Sequence, residues 1–598
     1  MIKNTLKLNF PSSWFLWYGF FNGLIASLIS IQYLLFYPST MTWLSASYIL
    51  FATLTHFISI HYLPLLLLSL IHRIVDMKKT LVLFAIIYGS IINTLIVMDA
   101  NFFTTNRFHM SLMTAILFDS STYIFLLLQL MIMIVFHYFL GNEIGKSLKK
   151  RKGKTFVGIS LTAVVISAWI YVQGVHIWAD ATYQSSITTF TRYLPLFRPI
   201  HAKRDLARLG LIDSDRLRKE SLSRQKIDSE LLYPKNELQC RIDEQSNNVL
   251  IILIDALRPE MINDAVMPNT TKLFSDSVSF DNHYSGGTSS RMGMFSLFYG
   301  LPSTYWRVFH DNLKPALMIS NFDEHNYDIQ AISSSGLGSP AVLDRTAFAG
   351  ISNINLKPLN DSETASLELV TDRWVNGFDQ GQESKFFTLL HYDPPINEAN
   401  PNQSLGITNG FLRKDDEAHN LEVSRYIQSI RHVDKEIGRL SDVLNERDML
   451  KNTIVILTSD HGYELDDYQT NYYGHSSNYS PAQTKVPLKI IWPNRNSDNY
   501  SFRSSHHDFA PTLLKEVLGC SNSYSDYSTG NNLFDQKPWN HLIAGSYDSF
   551  AVLTREKTII SYGSYFEVRD QNYNPTDIKN TDYRDIEDAI SDMSEYYK

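Results

Sequence analysis

The chain is 598 residues long, 44% hydrophobic, and carries a formal net charge of −8. So mild an acidic balance excludes a chain-wide polyanion grip, and no nucleic-acid partner is expected. Two cysteines exclude a disulfide scaffold or a Cys-rich zinc site; Cys240 and Cys520 could form one bond, which their spacing leaves open.

The apolar residues are concentrated at the front. Residues 14–36 form an uncharged run of 23 residues, enough to cross about 30 Å of hydrocarbon at about 1.5 Å per residue. Further spans are predicted at 45–71, 80–98, 121–140 and 156–177, the fourth with Asp119 at its mouth and Gln129 inside it. No small-residue cleavage site follows the first run, so a retained anchor is expected. Lys3, Lys7, Arg73, Lys78, Lys79, Lys146, Lys149, Lys150, Arg151, Lys152 and Lys154 fall on one side of this pattern, and only Arg107 on the other. That asymmetry predicts a cytoplasmic N-terminus and, after five spans, an exported remainder from about residue 178. In a bacterial inner membrane the remainder is periplasmic. His56, His61 and Pro64 interrupt the second span, the histidines being expected as neutral packing and hydrogen-bond partners.

The connecting segment, 179–245, is strongly basic between Arg192 and Lys226, ending with Arg224 and Lys226. Arg192, Arg198, Lys203, Arg204 and Arg208 are placed to hold lipid phosphates, with Leu194, Leu196 and Phe197 dipping toward acyl chains. An ordinary solvated linker with its cations paired to acids is the alternative.

From about 246 the texture becomes α/β. "NNVLIILIDALRPE", "YDIQAISSSG", "KFFTLLHYD", "NTIVILTSD" and "KVPLKIIWP" read as strands of a mostly parallel sheet, with a helical pattern between Leu421 and Leu440. Asp255, His391 and Asp460-His461 fall at carboxyl ends of strands, where ligands sit in such folds. Hard carboxylate oxygens beside one imidazole suit Zn²⁺, Mn²⁺ or Mg²⁺. "HYSGGTSSRMGMFSLFYG" adds Gly286-Gly287 for a sharp turn, then Thr288, Ser289 and Ser290, then a helix. A hydroxyl at a helix start beside a metal is a competent nucleophile.

The motifs "NVLIILIDALRPE", "MPNTTKLFSDSVSFDNHYSGGTSSR", "TSDHGYEL" and "HHDFAPTLL" occur in the order seen in the alkaline phosphatase–sulfatase superfamily, and the chain resembles it. The resemblance implies that Asp255, Asp460 and His461 are metal ligands and that a hydroxyl of the following segment is the metal-bound nucleophile. The Gly-x-Thr-Ser pattern of lipoteichoic-acid synthases points to Thr288; an ungapped match to the family named next points to Ser289. His391 and His475 would face substrate or a second metal, and Arg291 would contact substrate. Asp434 and Asp508 would hold the fold. Gly287 stands where formylglycine sulfatases need Cys or Ser, so that activity is not expected.

Five spans followed by "HIWADATYQSSITTFTRYLPLFRPIHAKRDLARLGLID" and a hydrolase-like domain resemble the YejM/PbgA family of Gram-negative inner-membrane proteins. That resemblance implies a regulator of outer-membrane lipid balance that senses lipopolysaccharide through its lipid A and acts on a LapB-like inner-membrane partner; cardiolipin is a second lipid implied. The expected division is a transmembrane domain (1–178), a basic connector (179–245), a periplasmic alkaline phosphatase-like domain (246–570) and a solvated C-terminal tail (571–598). The competing reading is a metal-dependent phosphatase or phosphotransferase acting on a membrane-borne phosphoester.

Overall fold

The computed structural model describes residues 10–37, 41–75, 77–150, 155–222, 231–241, 247–378, 385–400, 411–563, 565–579 and 581–598. Lys3, Lys7, Arg151, Lys152, Lys154, Arg224 and Lys226 lie outside them, as does the expected boundary at 245–246. The chain divides into two compact units, Met1–Leu231 with Tyr597–Lys598, and Leu232–Tyr596.

In the first unit, five helices among the described residues are long and apolar enough to cross a membrane: Ser13–Leu34, Trp43–Ile74, Lys78–Asn106, Ser120–Lys149 and Ser160–Ala181. Helices suit such a solvent because every backbone group between the ends is satisfied within the segment. The second, expected as one span at 45–71, is the continuous helix Trp43–Ile74 with Pro64 inside it. Neighbouring helices tolerate such a proline where they resatisfy the freed carbonyl. His61 is fully buried with Nε2 3.1 Å from Asn93 Oδ1, and Asn93 also donates to Asn22 Oδ1 at 3.2 Å.

The chain after the fifth helix folds back onto the unit. His109 Nε2 meets the Arg192 carbonyl at 3.0 Å, His56 Nε2 meets the Pro195 carbonyl at 2.8 Å, and Ile200 N–H donates to Gln173 Oε1 at 2.8 Å. Leu194 is therefore not free to reach acyl chains as expected; it is buried with Tyr33, Tyr37 and Phe190. Phe197 packs on the same cluster, and Leu196 alone of the three stands out, 82% exposed.

The second unit is built on a seven-stranded mixed sheet. Its strands are β1 (Asn248–Ile254), β2 (Val278–Phe280), β3 (Asp328–Ser333), β4 (Phe386–Tyr392), β5 (Thr453–Thr458), β6 (Leu488–Ile491) and β7 (Asp498–Tyr500), in spatial order β7-β2-β6-β5-β1-β4-β3. β3, β4, β1 and β5 are parallel; β6 runs antiparallel to both β5 and β2. The central strands are buried along their length, which is why they read as unbroken apolar runs. Helix Glu417–Glu446 buries Val423, Ile427, Ile430, Val433, Ile437 and Leu440 against them. Asp434 of this helix accepts from the Asn269 and Thr270 amides and the Thr270 hydroxyl, capping helix Pro268–Leu273.

An antiparallel meander follows: β8 (Leu542–Gly545), β9 (Phe550–Leu553), β10 (Thr558–Ser561) and β11 (Phe566–Arg569). The C-terminal stretch is not solvated as expected. Helix Tyr583–Asp592 exposes Glu587 and Asp588 while Ile586, Ala589 and Ile590 are buried, and Tyr596 is fully buried beyond it. Cys240 and Cys520 form a disulfide within this unit.

Candidate active site

Strand register brings the predicted ligands together. β1 pairs with β5 so that Leu253 faces Thr458, and Asp255 and Asp460 each follow two residues beyond that pair. On the other side of β1, Leu253 faces His391 of β4. The register of three parallel strands thus delivers a carboxylate, a second carboxylate with an imidazole, and, two residues earlier on the third strand, another imidazole to the same sheet edge.

The turn after Asp255 is strained, with Ala256 in the left-handed region at φ 57°. That conformation aims the Ala256 N–H at Asp460 Oδ1 (3.2 Å) and the Leu257 N–H at Ser459 Oγ (2.9 Å). Asp460 Oδ1 also takes the His461 N–H at 2.9 Å, while its other oxygen, Oδ2, is buried and has no hydrogen-bond partner among the described residues. The His461 Nδ1 contact with the Gly462 carbonyl (2.9 Å) favours a proton on Nδ1 and turns Nε2 inward, 3.4 Å from Asp460 Oδ2 and 3.9 Å from Asp255 Oδ1.

Helix Ser290–Tyr299 closes the site from the sheet edge. A Cβ on Gly293 would lie 1.9 Å from the Asp460 carbonyl oxygen, so only glycine lets the helix come this near. Gly287 serves space in the same way. Its φ is not in the left-handed region, and a Cβ there would meet Met292 Cβ at 2.5 Å. The glycine pair expected to allow a sharp turn instead allows the loop to lie against its own helix.

The three hydroxyls are sorted by this helix start. Thr288 and Ser289 are fully buried, and neither side-chain oxygen has a partner among the described residues. Ser290 Oγ donates to Asp255 Oδ2 at 3.0 Å and lies 3.4 Å from His461 Nε2. Sequence reasoning gave Ser290 no role of its own; its first-turn position on the helix is the signal that was there to use.

His391 Nδ1 meets Ser333 Oγ at 2.7 Å, and its buried Nε2 points at Asp255 Oδ2, 3.5 Å away. His475 stacks on His461, ring centroids 4.3 Å apart. Arg291 takes another direction: its Nε donates to the Pro340 carbonyl at 2.9 Å and the guanidinium lies over Trp306. Asp508 accepts the Ser505 and Asn531 amides, consistent with a fold-holding position. Asp393, not singled out from sequence although it follows the same strand end as His391, joins the site electrostatically. Burial and then the Asp255 charge hold its carboxyl above the usual range. The same two causes, in the same order, raise Asp460. Asp255 shifts the other way, because the His391 hydrogen bond and the His461 ring outweigh its burial.

Crowded buried carboxylates and an orphaned oxygen are poor core chemistry. They fit a divalent cation. Ligand atoms of Asp255, Asp460 and His461 lie within 4.8 Å of one another, and the set of hard oxygens with one imidazole suits Mg²⁺, Mn²⁺ or Zn²⁺.

Comparison with known proteins agrees with this reading of the fold. The sulfatase family matches residues 247–519, and a domain of unknown function, DUF3413, matches residues 4–240. An uncharacterized protein of Haemophilus influenzae is 25% identical over 563 residues, 90% of this chain and 87% of that one. The inner membrane protein YejM of Salmonella typhimurium is 24% identical over 569 residues, 93% and 92% respectively. A solved protein of the alkaline phosphatase superfamily from Vibrio parahaemolyticus covers 64% of this chain and 94% of its own, at 16% identity and a TM-score of 0.41. The second unit is an α/β domain matched by the sulfatase family, on a chain with five long apolar helices among the described residues. Along most of its length the chain is YejM-like, with a match to DUF3413 ahead of a match to the sulfatase family.

Proposed function

We propose that the chain is an inner-membrane regulator of lipopolysaccharide and outer-membrane lipid balance, which senses periplasmic-leaflet lipid A through its basic connector and passes the signal to a LapB-like partner. The observation that carries this reading is at residues 196–211. Arg198 and Arg204 are exposed and make no hydrogen bond or ion pair among the described residues. Around them Leu196, Ile200, Leu209 and Leu211 are 82%, 47%, 70% and 67% exposed. Bare guanidiniums among bare aliphatic side chains suit phosphate headgroups with acyl chains beneath them. The other cations are partly engaged: Lys203 lies over the Tyr183 ring, Arg208 sits 3.8 Å from Asp205, and Arg192 lies over Tyr193 and Tyr597. The Cys240–Cys520 disulfide supports export of the second unit to an oxidising compartment. The test is binding of the full-length protein to vesicles with and without lipid A. Arg198→Ala with Arg204→Ala should weaken capture by the lipid A vesicles and alter lipopolysaccharide levels in cells; wild-type values in both assays would reject the reading.

A second reading, a metal-dependent phosphatase or phosphotransferase, rests on the orphaned Asp460 Oδ2 facing His461. Asp255, Asp460 and His461 would hold the cation, which would supply Lewis-acid stabilisation of charge on a phosphoester. Ser290 Oγ, hydrogen-bonded to Asp255, is the hydroxyl positioned to attack, and His391 is placed to orient the Asp255 carboxylate. Asp460→Ala should abolish bound metal and phosphomonoester hydrolysis together; a fully active variant would reject it.

A further inference from the structure

Away from the Asp255 cluster, the second unit holds a cavity of about 300 Å³ between the Tyr284 and Lys485 segments on one side and the C-terminal meander on the other. None of Asp255, Ser290, Asp460 and His461 lines it. Four cations do: Lys485, Arg503, Arg555 and Lys557. Not one forms an ion pair among the described residues. The half-buried Lys485 ammonium makes no hydrogen bond among the described residues, resting 5.6 Å from the centre of the Tyr284 ring. Arg503 donates only to the Thr554 and Arg555 carbonyls, Lys557 only to the Asp577 and Lys579 carbonyls, and Arg555 to the Asn540 amide oxygen.

The two acids in the wall do not balance them. Asp570 Oδ1 accepts the Asn572 and Asn574 backbone N–H groups and Oδ2 the Asn574 side-chain amide, and Glu556 is exposed at the rim. Burial leaves the Lys485 ammonium below its ordinary pKa, against the opposing pull of the Glu260 charge and, more weakly, of Asp281, with the Arg503 charge adding a smaller push downward. An anion entering beside it would reverse that penalty. Aromatic rings line the cavity beside these cations. Tyr284 and Trp539 pack edge to face at 5.2 Å, and the indole is held by its Nε1–H bond to the Ser504 carbonyl. Arg503 lies 5.0 Å from the Trp539 ring centre, so cation and ring are fixed together.

We propose that this cavity is a binding site for a phosphorylated sugar, separate from the metal cluster. The phosphate would sit between Lys485 and Arg503 and the sugar's C–H face would lie against Tyr284 and Trp539. The cavity matches the lower end of the roughly 300–1,000 Å³ typical of small-molecule sites, so the ligand recognised is a single phosphosugar unit, free or at the end of a larger molecule. The Lys485 and Arg503 charges set affinity, and the aromatic wall distinguishes a sugar phosphate from inorganic phosphate.

The test is calorimetric titration of the full-length protein in detergent with EDTA present, using glucose 6-phosphate, inorganic phosphate and glucose as probes. Glucose 6-phosphate should bind saturably in the millimolar range or tighter, inorganic phosphate several-fold more weakly, and glucose not at all. Lys485→Met and Arg503→Gln should each weaken glucose 6-phosphate at least tenfold, Lys485→Arg should restore most of it, and Asp460→Asn should leave it unchanged. Absence of saturable binding, or wild-type affinity in Lys485→Met, overturns the site. Loss in Asp460→Asn assigns the binding to the metal cluster instead, and equal affinity for inorganic phosphate removes the aromatic wall's role.

Discussion

The three adjacent hydroxyls allow a sharp test, because the structure gives each a different expected cost. Ser290→Ala removes the bond from Oγ to Asp255 Oδ2 and the hydroxyl nearest His461 Nε2. A hydrogen bond to a charged group contributes about 1.5–3 kcal/mol net, and loss of an attacking group costs on the order of 10³-fold or more in turnover. Ser289 occupies the N-cap position of its helix but makes no side-chain cap bond. The usual capping loss of about 1 kcal/mol therefore does not apply. Its oxygen is buried without a partner among the described residues, so Ser289→Ala removes an uncompensated desolvation of about 1–3 kcal/mol and should leave stability equal or higher. Thr288→Val replaces an equally orphaned hydroxyl by a methyl of similar shape and should behave like Ser289→Ala. The assay is hydrolysis of a generic phosphomonoester by the full-length protein with Mn²⁺ supplied, beside measured bound metal. Full turnover and metal in Ser290→Ala, with either quantity lost in Thr288→Val or Ser289→Ala, would refute the assignment and return the nucleophile to the residue whose change was felt.

Gly293→Ala should abolish metal binding in a protein that still folds, because the new methyl must displace the helix from the Asp460 carbonyl; unchanged metal content would show that the close approach is dispensable. Asp434→Ala strips the cap from helix Pro268–Leu273 and removes the acceptor of four donors, the Asn269 and Thr270 N–H groups, the Asn269 side-chain amide and the Thr270 hydroxyl, at a cost of about 3–5 kcal/mol. Urea unfolding should show it, and a change under about 1 kcal/mol would contradict the role. Cys240→Ser with Cys520→Ser opens a crosslink spanning 280 residues, worth up to about 5 kcal/mol by loop entropy. The thermal midpoint should fall while phosphomonoester turnover at 25 °C is kept, and an unchanged midpoint would mean that neighbouring contacts already hold the two segments.

Much was legible in the residues themselves because the relevant physics is local. A helix in hydrocarbon must satisfy its own backbone, so five apolar runs announce five helices whatever surrounds them. A strand buried on both faces is apolar throughout, so a carboxylate closing such a run, as Asp255 and Asp460 do, marks the sheet's carboxyl edge before the neighbours are known. Even the long helix over Glu417–Glu446 shows in its apolar spacing.

What the sequence did not determine depends on distance in the chain. Which of three consecutive hydroxyls meets Asp255 is set by the rotation of one helix start against a strand end, and adjacent residues there differ by about 100° in direction. Gly293 has meaning only because the Asp460 carbonyl, far away in sequence, stands where its Cβ would be. Leu194 looks like an acyl-chain contact until Tyr33, Tyr37 and Phe190 close around it, and the acidic tail looks solvated until Ile586, Ala589 and Ile590 find a core. The residue types and strand ends belong to the sequence alone; partners, facing and burial came only with the tertiary structure, because they are properties of pairs that the chain order does not list.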